Sequence, residues 1–121
     1  MKLRILDSTL RLRLDRAEVE ALGRGEAQQA RTHFPGGEAF GYRLEPTSGI
    51  LSATFDGRGI TLCVPSKQLQ AWAKDEQLVG IRESLTLSDG MLVLLIEKDF
   101  ECLEPRSGED QSNRFVNPKA M

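Results

Sequence analysis

Shifting the chain by fifty residues brings its apolar positions into superposition without a gap, and no other feature of the sequence restricts the fold as strongly. Leu3 falls on Ala53, Ile5 on Phe55, Leu10 on Ile60, Leu12 on Leu62 and Leu14 on Val64. Val19 then falls on Leu69, Ala21 on Ala71 and Leu22 on Trp72, and further along, in a looser stretch, Leu44 falls on Leu94. Identity between the copies is low; what recurs is the alternation of apolar and polar positions.

Both copies have the same local grammar. Residues 2–5 and 10–14 alternate with the period of a half-buried strand, joined by the four-residue loop Leu6-Asp7-Ser8-Thr9; Asp56-Gly57-Arg58-Gly59 is its counterpart in the second copy. A helix follows in each. Asp15 with Glu18 three residues on spells a capping box, Ser66 after Pro65 is the expected cap of the second helix, and Gly23 and Gly25 should end the first in a left-handed turn. Val19 and Leu22, and Leu69, Trp72 and Ala73, give the helices apolar faces. Each copy closes on a hairpin: strands near 28–34 and 39–45 around Pro35-Gly36-Gly37, and strands near 79–86 and 91–98 around Ser88-Asp89-Gly90, where Asp-Gly favours a type I′ turn.

The order β-β-α-β-β, twice, predicts an α+β fold in which pseudo-repeats 1–46 and 51–98 build one domain over residues 1–100. Each half alone leaves a sheet face bare. An antiparallel sandwich, or a closed barrel with two short helices over its ends, buries both; an open form also leaves strand edges for pairing. The expected core is Leu12, Leu14, Leu22, Leu62, Val64, Leu69, Trp72 and Leu94. Residues 101–121 hold too few apolar side chains for another element and read as an extended tail, docked on the domain through Phe115-Val116.

With 121 residues the chain can bury a core without disulfides or a structural metal. Its 18 acidic against 16 basic residues make it no general polyanion binder. The longest apolar run, Met91 to Ile96, is far short of the ~20 residues that span a bilayer, so no membrane partner is expected. Two cysteines, Cys63 and Cys102, and no apolar export segment after Met1 lead us to expect a cytoplasmic protein.

The run Glu97-Lys98-Asp99-Phe100-x-Cys102-Leu103, followed by Arg106, Glu109-Asp110, Phe115 and Asn117-Pro118, resembles the ending of a family of small bacterial proteins of unknown function. Their start is similar to Leu3-Arg4 and Leu10-Arg11-Leu12-Arg13-Leu14 here. The chain departs from that pattern at Ser112-Asn113-Arg114, in place of an acidic residue, and at Val116, in place of Pro. The resemblance implies a bacterial cytoplasmic source and transfers no functional residue.

One arrangement follows from spacing. If Ile5 pairs with Leu10, then Lys2 faces Arg13 and Arg4 faces Arg11, so four cations share one outer face. Like charges directly opposite are destabilising, and something must offset them. Acidic side chains of neighbouring strands or of the tail (Glu97, Asp99, Glu104, Glu109, Asp110) are the ordinary answer; a phosphate-bearing ligand or nucleic acid is the other, disfavoured by the lack of interleaved aromatics. His33, Cys102, Glu109 and Asp110 are the candidate metal ligands, yet no pair among them has a ligand spacing. Cys102 lies beside Glu101 and Glu104, whose charge opposes a thiolate; Cys63, between Leu62 and Val64, should face outward with Thr61. Phosphate-loop, nucleophile-elbow and zinc-protease motifs are absent, and no cofactor is expected. The expected function is a non-enzymatic binding or protein-interaction module, with a protein or small molecule as partner. The alternative is a small enzyme or metal protein using tail groups near Cys102.

Overall fold

The computed structural model describes residues 1–101 and 115–116. Strands β1 (Lys2–Leu6) and β2 (Thr9–Leu14), helix α1 (Arg16–Gly23), and strands β3 (Gln28–His33) and β4 (Ala39–Thr47) make the first ββαββ repeat. The second is β5 (Ser52–Phe55), β6 (Gly59–Pro65), α2 (Ser66–Lys74), β7 (Gly80–Leu87) and β8 (Gly90–Lys98). The short strands β9 (Phe100–Glu101) and β10 (Phe115–Val116) pair in parallel; the expected docking of the rest of the tail lies outside the described residues.

The repeats are α+β as expected, and their hairpins are antiparallel. They do not, however, keep their hairpins to themselves. Sheet 1 has the order β1-β2-β8-β7 and sheet 2 the order β3-β4-β6-β5. Each sheet therefore takes one hairpin from each repeat, joined through a central parallel pair, β2 with β8 and β4 with β6. Exchanging the repeats converts one strand order into the other, the signature of an internal twofold. The sheets stay open: the ladders of the described residues form two four-stranded sheets rather than one barrel. The described residues divide into two compact units along the same line: Lys2–Val19 with the described residues from Val79 onward, and Met1 with Glu20–Leu78.

The ladders also refine the alignment of the repeats. Leu62 meets Leu44 across β4–β6, whereas Leu12 meets Ile96, not Leu94, across β2–β8. The match slips by two residues in the last hairpin because the second repeat is longer there: Ala73 stands 23 positions before Ile96, whereas its counterpart Gly23 stands 21 before Leu44. All eight residues expected in the core are buried. Leu10, Val19, Ala21, Leu44, Ile81 and Ile96 are buried as well. Helix α2 packs on β4 and β6 with Leu69 and Trp72 fully buried. No helix of the described residues is long and apolar enough to cross a membrane.

Local signals were realised unevenly. The capping box of α1 forms in full: the Glu18 N–H donates to Asp15 Oδ1 at 2.9 Å and the Asp15 N–H to Glu18 Oε1 at 3.0 Å. Gly25, with φ +92°, is the left-handed residue that ends α1, and the Glu26 N–H closes the motif on the Ala21 carbonyl at 2.9 Å. Gly23 has another role. It is the repeat counterpart of Ala73, and a Cβ on it would stand 2.9 Å from the Ala73 Cβ, so the two helices meet closely at equivalent positions. Ser66 does not cap α2; its hydroxyl donates to the Thr47 carbonyl at 3.2 Å and no side chain caps the helix. Asp7 is the one non-glycine residue with positive φ among those described, so Asp89-Gly90 does not form a type I′ turn. Leu6 pairs with Thr9, which shortens the first hairpin loop to Asp7-Ser8.

Candidate functional site

Sheet 1 places the anticipated cations as their spacing requires: Lys2 opposite Arg13 and Arg4 opposite Arg11. The parallel join then adds residues no local pattern could supply. Glu97 aligns with Arg13 and Leu95 with Arg11 from β8, and Arg82 aligns with Leu95 from β7. One row thus reads Arg4, Arg11, Leu95, Arg82 across all four strands, about 14 Å at the usual strand spacing. Beside it lies Lys2, Arg13, Glu97, Gly80.

Two carboxylates offset part of this charge. Lys2 Nζ is 3.0 Å from Asp99 Oδ2, and Glu97 Oε1 receives Arg11 Nε at 3.1 Å and Arg13 Nε at 3.9 Å. Arg4 and Arg82 are exposed and meet no carboxylate among the described residues. Glu97 and Asp99 were among the anticipated counter-charges; Arg82 was not among the anticipated cations, because only the β7–β8 pairing brings it to this face.

Sheet 2 carries a different outer face. Position by position, Glu45 is the counterpart of Glu97, since it aligns with Cys63 where Glu97 aligns with Arg13. Arg43 Nε donates to Glu45 Oε2 at 2.6 Å and Arg43 Nη1 to Gln29 Oε1 at 3.1 Å, while the Cys63 thiol donates to Glu45 Oε1 at 3.3 Å. The Arg43 bond, with the thiol second, holds the Glu45 carboxyl below its ordinary range. Cys63 faces outward with Thr61, as the alternation predicts. Burial, reinforced by Glu45 against a hydrogen bond with Ser52, pushes its thiol up, so it is not a poised nucleophile.

Two rows beyond Glu45 and Cys63, Gly41 aligns with Gly59, and the two strands close over the gap. A Cβ on Gly59 would lie 2.2 Å from the Gly41 carbonyl oxygen, so only glycine fits there. The bare backbone opens a hollow of about 1080 Å³, bordered by Arg31, Phe34, Arg43, Arg58 and Thr61 among others. The loop beside it is fixed by Asp56, whose Oδ1 accepts the N–H groups of Arg58 at 2.8 Å and Gly59 at 2.9 Å; the first of these bonds holds the carboxyl below its usual value.

Of the metal candidates, His33 stands exposed at the end of β3, aligned with Ala39, while Cys102, Glu109 and Asp110 lie outside the described residues. Among the described residues no three His, Cys, Asp or Glu side chains come together as a metal site.

These features define a class: a duplicated ββαββ protein with exchanged hairpins, one cationic sheet face and one hollow sheet face. The chain belongs to a family of unknown function (DUF7009), whose model matches residues 1–119. No curated protein and no solved structure matches it.

Proposed function

We propose that the protein is a non-enzymatic binding module whose sheet 1 takes an acidic polypeptide segment of a protein partner on its outer face. The row Arg4–Arg11–Leu95–Arg82 carries this reading. With Lys2 and Arg13 beside it, five cations stand against the two carboxylates Glu97 and Asp99, on a chain whose formal net charge is −2. Four of the five are arginines, whose planar forks suit carboxylates and lose little on being held. Leu95 and Val93, half-buried in the same face, offer apolar ground between them. No aromatic side chain occupies these positions, so base stacking has no platform, and the acidic remainder of the chain repels a long polyanion. We place the module in a bacterial cytoplasm, a reading supported by the resemblance of its terminal motifs.

The test is titration of the full chain with a fluorescein-labelled acidic peptide, with single- and double-stranded oligonucleotides in parallel. Peptide binding should weaken with salt and fall about tenfold in Arg4→Glu/Arg82→Glu. Binding untouched by that pair, or a preference for the oligonucleotides, overturns the reading. Glu109 and Asp110 could offer the same chemistry from within the chain; if they occupy the face, Glu109→Lys/Asp110→Lys raises the peptide affinity.

A further inference from the structure

We infer that the hollow of sheet 2 is a binding site for a small molecule that carries a phosphate or carboxylate on a flat apolar body. The inference rests on side chains of sheet 2 and is independent of the proposal for sheet 1.

The floor of the hollow is backbone, because Gly41 and Gly59 present none of the side chains that Thr9 and Val93 present at the counterpart positions of sheet 1. Arg31 spans this floor: its Cγ lies 3.7 Å from where a Cβ of Gly41 would be. Its guanidinium is exposed and meets no carboxylate among the described residues. Arg58 borders the hollow from the β5–β6 loop. Its acidic neighbour Asp56 has one oxygen already committed to two backbone N–H groups. Arg43, also at the rim, is held by Gln29 and Glu45 and contributes shape more than charge. Phe34, 53% exposed, offers a ring face at the same rim. The acids bordering the hollow, Glu38 and Asp56, limit the anion to a small one, since a larger charge cluster would meet them as well. A volume of about 1080 Å³ suits a molecule of metabolite size.

Nuclear magnetic resonance titration of the full chain with phenyl phosphate, benzoate and inorganic phosphate tests the assignment. Phenyl phosphate should move the amides of Gly41, Arg58, Gly59 and Thr61, and bind about tenfold more tightly than inorganic phosphate, with benzoate showing whether carboxylate serves in its place. Arg31→Gln and Arg58→Gln should each weaken it about tenfold, and Phe34→Ala should abolish the preference for the ring-bearing anion. Gly41→Val plugs the hollow with the side chain found at the counterpart position of sheet 1 and should abolish binding, with Gly41→Ala as the milder plug if the valine disturbs the spectrum of sheet 2. Shifts confined to the amides of Arg4 and Arg82, or binding unchanged in Arg31→Gln and the plugged variant, overturn it.

Discussion

Where sheet 1 sets Thr9 beside Val93, sheet 2 sets Gly59 beside Gly41, and the same backbone hydrogen bond accompanies both pairs: Val93 N–H to the Ser8 carbonyl at 2.8 Å, Gly41 N–H to the Arg58 carbonyl at 3.0 Å. Two rows away, Glu97 is clamped by two arginines of the adjacent strand, while its counterpart Glu45 is clamped by an arginine of its own strand and a neighbouring thiol. The inward positions tell the opposite story, with Leu10 and Leu12 against Ile60 and Leu62, and Ile96 against Leu44. Inward residues hold the duplicated frame and must stay apolar; outward residues answer only to solvent and ligand. Two sheets of one pattern have accordingly become a charged plane and a polar hollow.

The comparison breaks most sharply at the glycine pair. Gly59→Ala forces a Cβ into the Gly41 carbonyl and should destabilise by ~3 kcal/mol or more, whereas Thr9→Ala should cost under ~1 kcal/mol; urea unfolding of both variants checks this. Next come the inward leucines, where the sheets should behave alike. Leu62→Ala and Leu12→Ala each remove a buried side chain and should each cost on the order of 2–5 kcal/mol, and a loss below about 1 kcal/mol in either would place that face in solvent. The helices should differ moderately. Asp15→Ala removes a formed capping box and should cost ~0.5–2 kcal/mol, while Ser66→Ala removes only a bond to Thr47 and should cost less.

The smallest effects sharpen the electrostatic contrast. Glu97→Gln leaves Arg4, Arg11 and Arg13 to repel one another, so its thermal midpoint should rise with added salt more than that of the unaltered chain. Glu45 acts through pH. Its carboxyl is depressed in the folded state, so its contribution is present above its ordinary value of 4.5 and is lost as pH falls through the lower folded value. Glu45→Gln should therefore flatten the acid limb of the stability profile in that window and leave the profile near neutrality with its original slope.

Much of the frame was legible in the chain because alternation, the Asp15–Glu18 box and the Pro35-Gly36-Gly37 turn are local signals. The cationic face was legible for the same reason as far as one hairpin reaches, from Lys2 to Arg13. What escaped were relations between distant segments. Arg82 joins that face only through β8, and Gly41 meets Gly59 only because β4 lies parallel to β6. Two glycines eighteen residues apart look like separate turn residues until that pairing is known. The repeat alignment held one hint, since Gly59 falls on Thr9, a strand residue with a side chain. Ser66 misled because a hydroxyl at a helix start has two acceptable uses, and a nearby carbonyl claimed it.

The exchange of hairpins has a consequence for how such a chain is made. The first hairpin, finished by Leu14, must wait for β8, the last long strand, before sheet 1 can close, whereas sheet 2 has all four of its strands by Pro65. A single ββαββ half, in turn, owns two hairpins with no partners of its own and could satisfy them only with a second copy of itself. The present chain has the strand topology that two symmetric copies of one half would have, joined through a short connection at residues 48–51. Because both copies lie in one chain, the two sheets need not be identical, so one outer face can carry arginines while the other carries glycine.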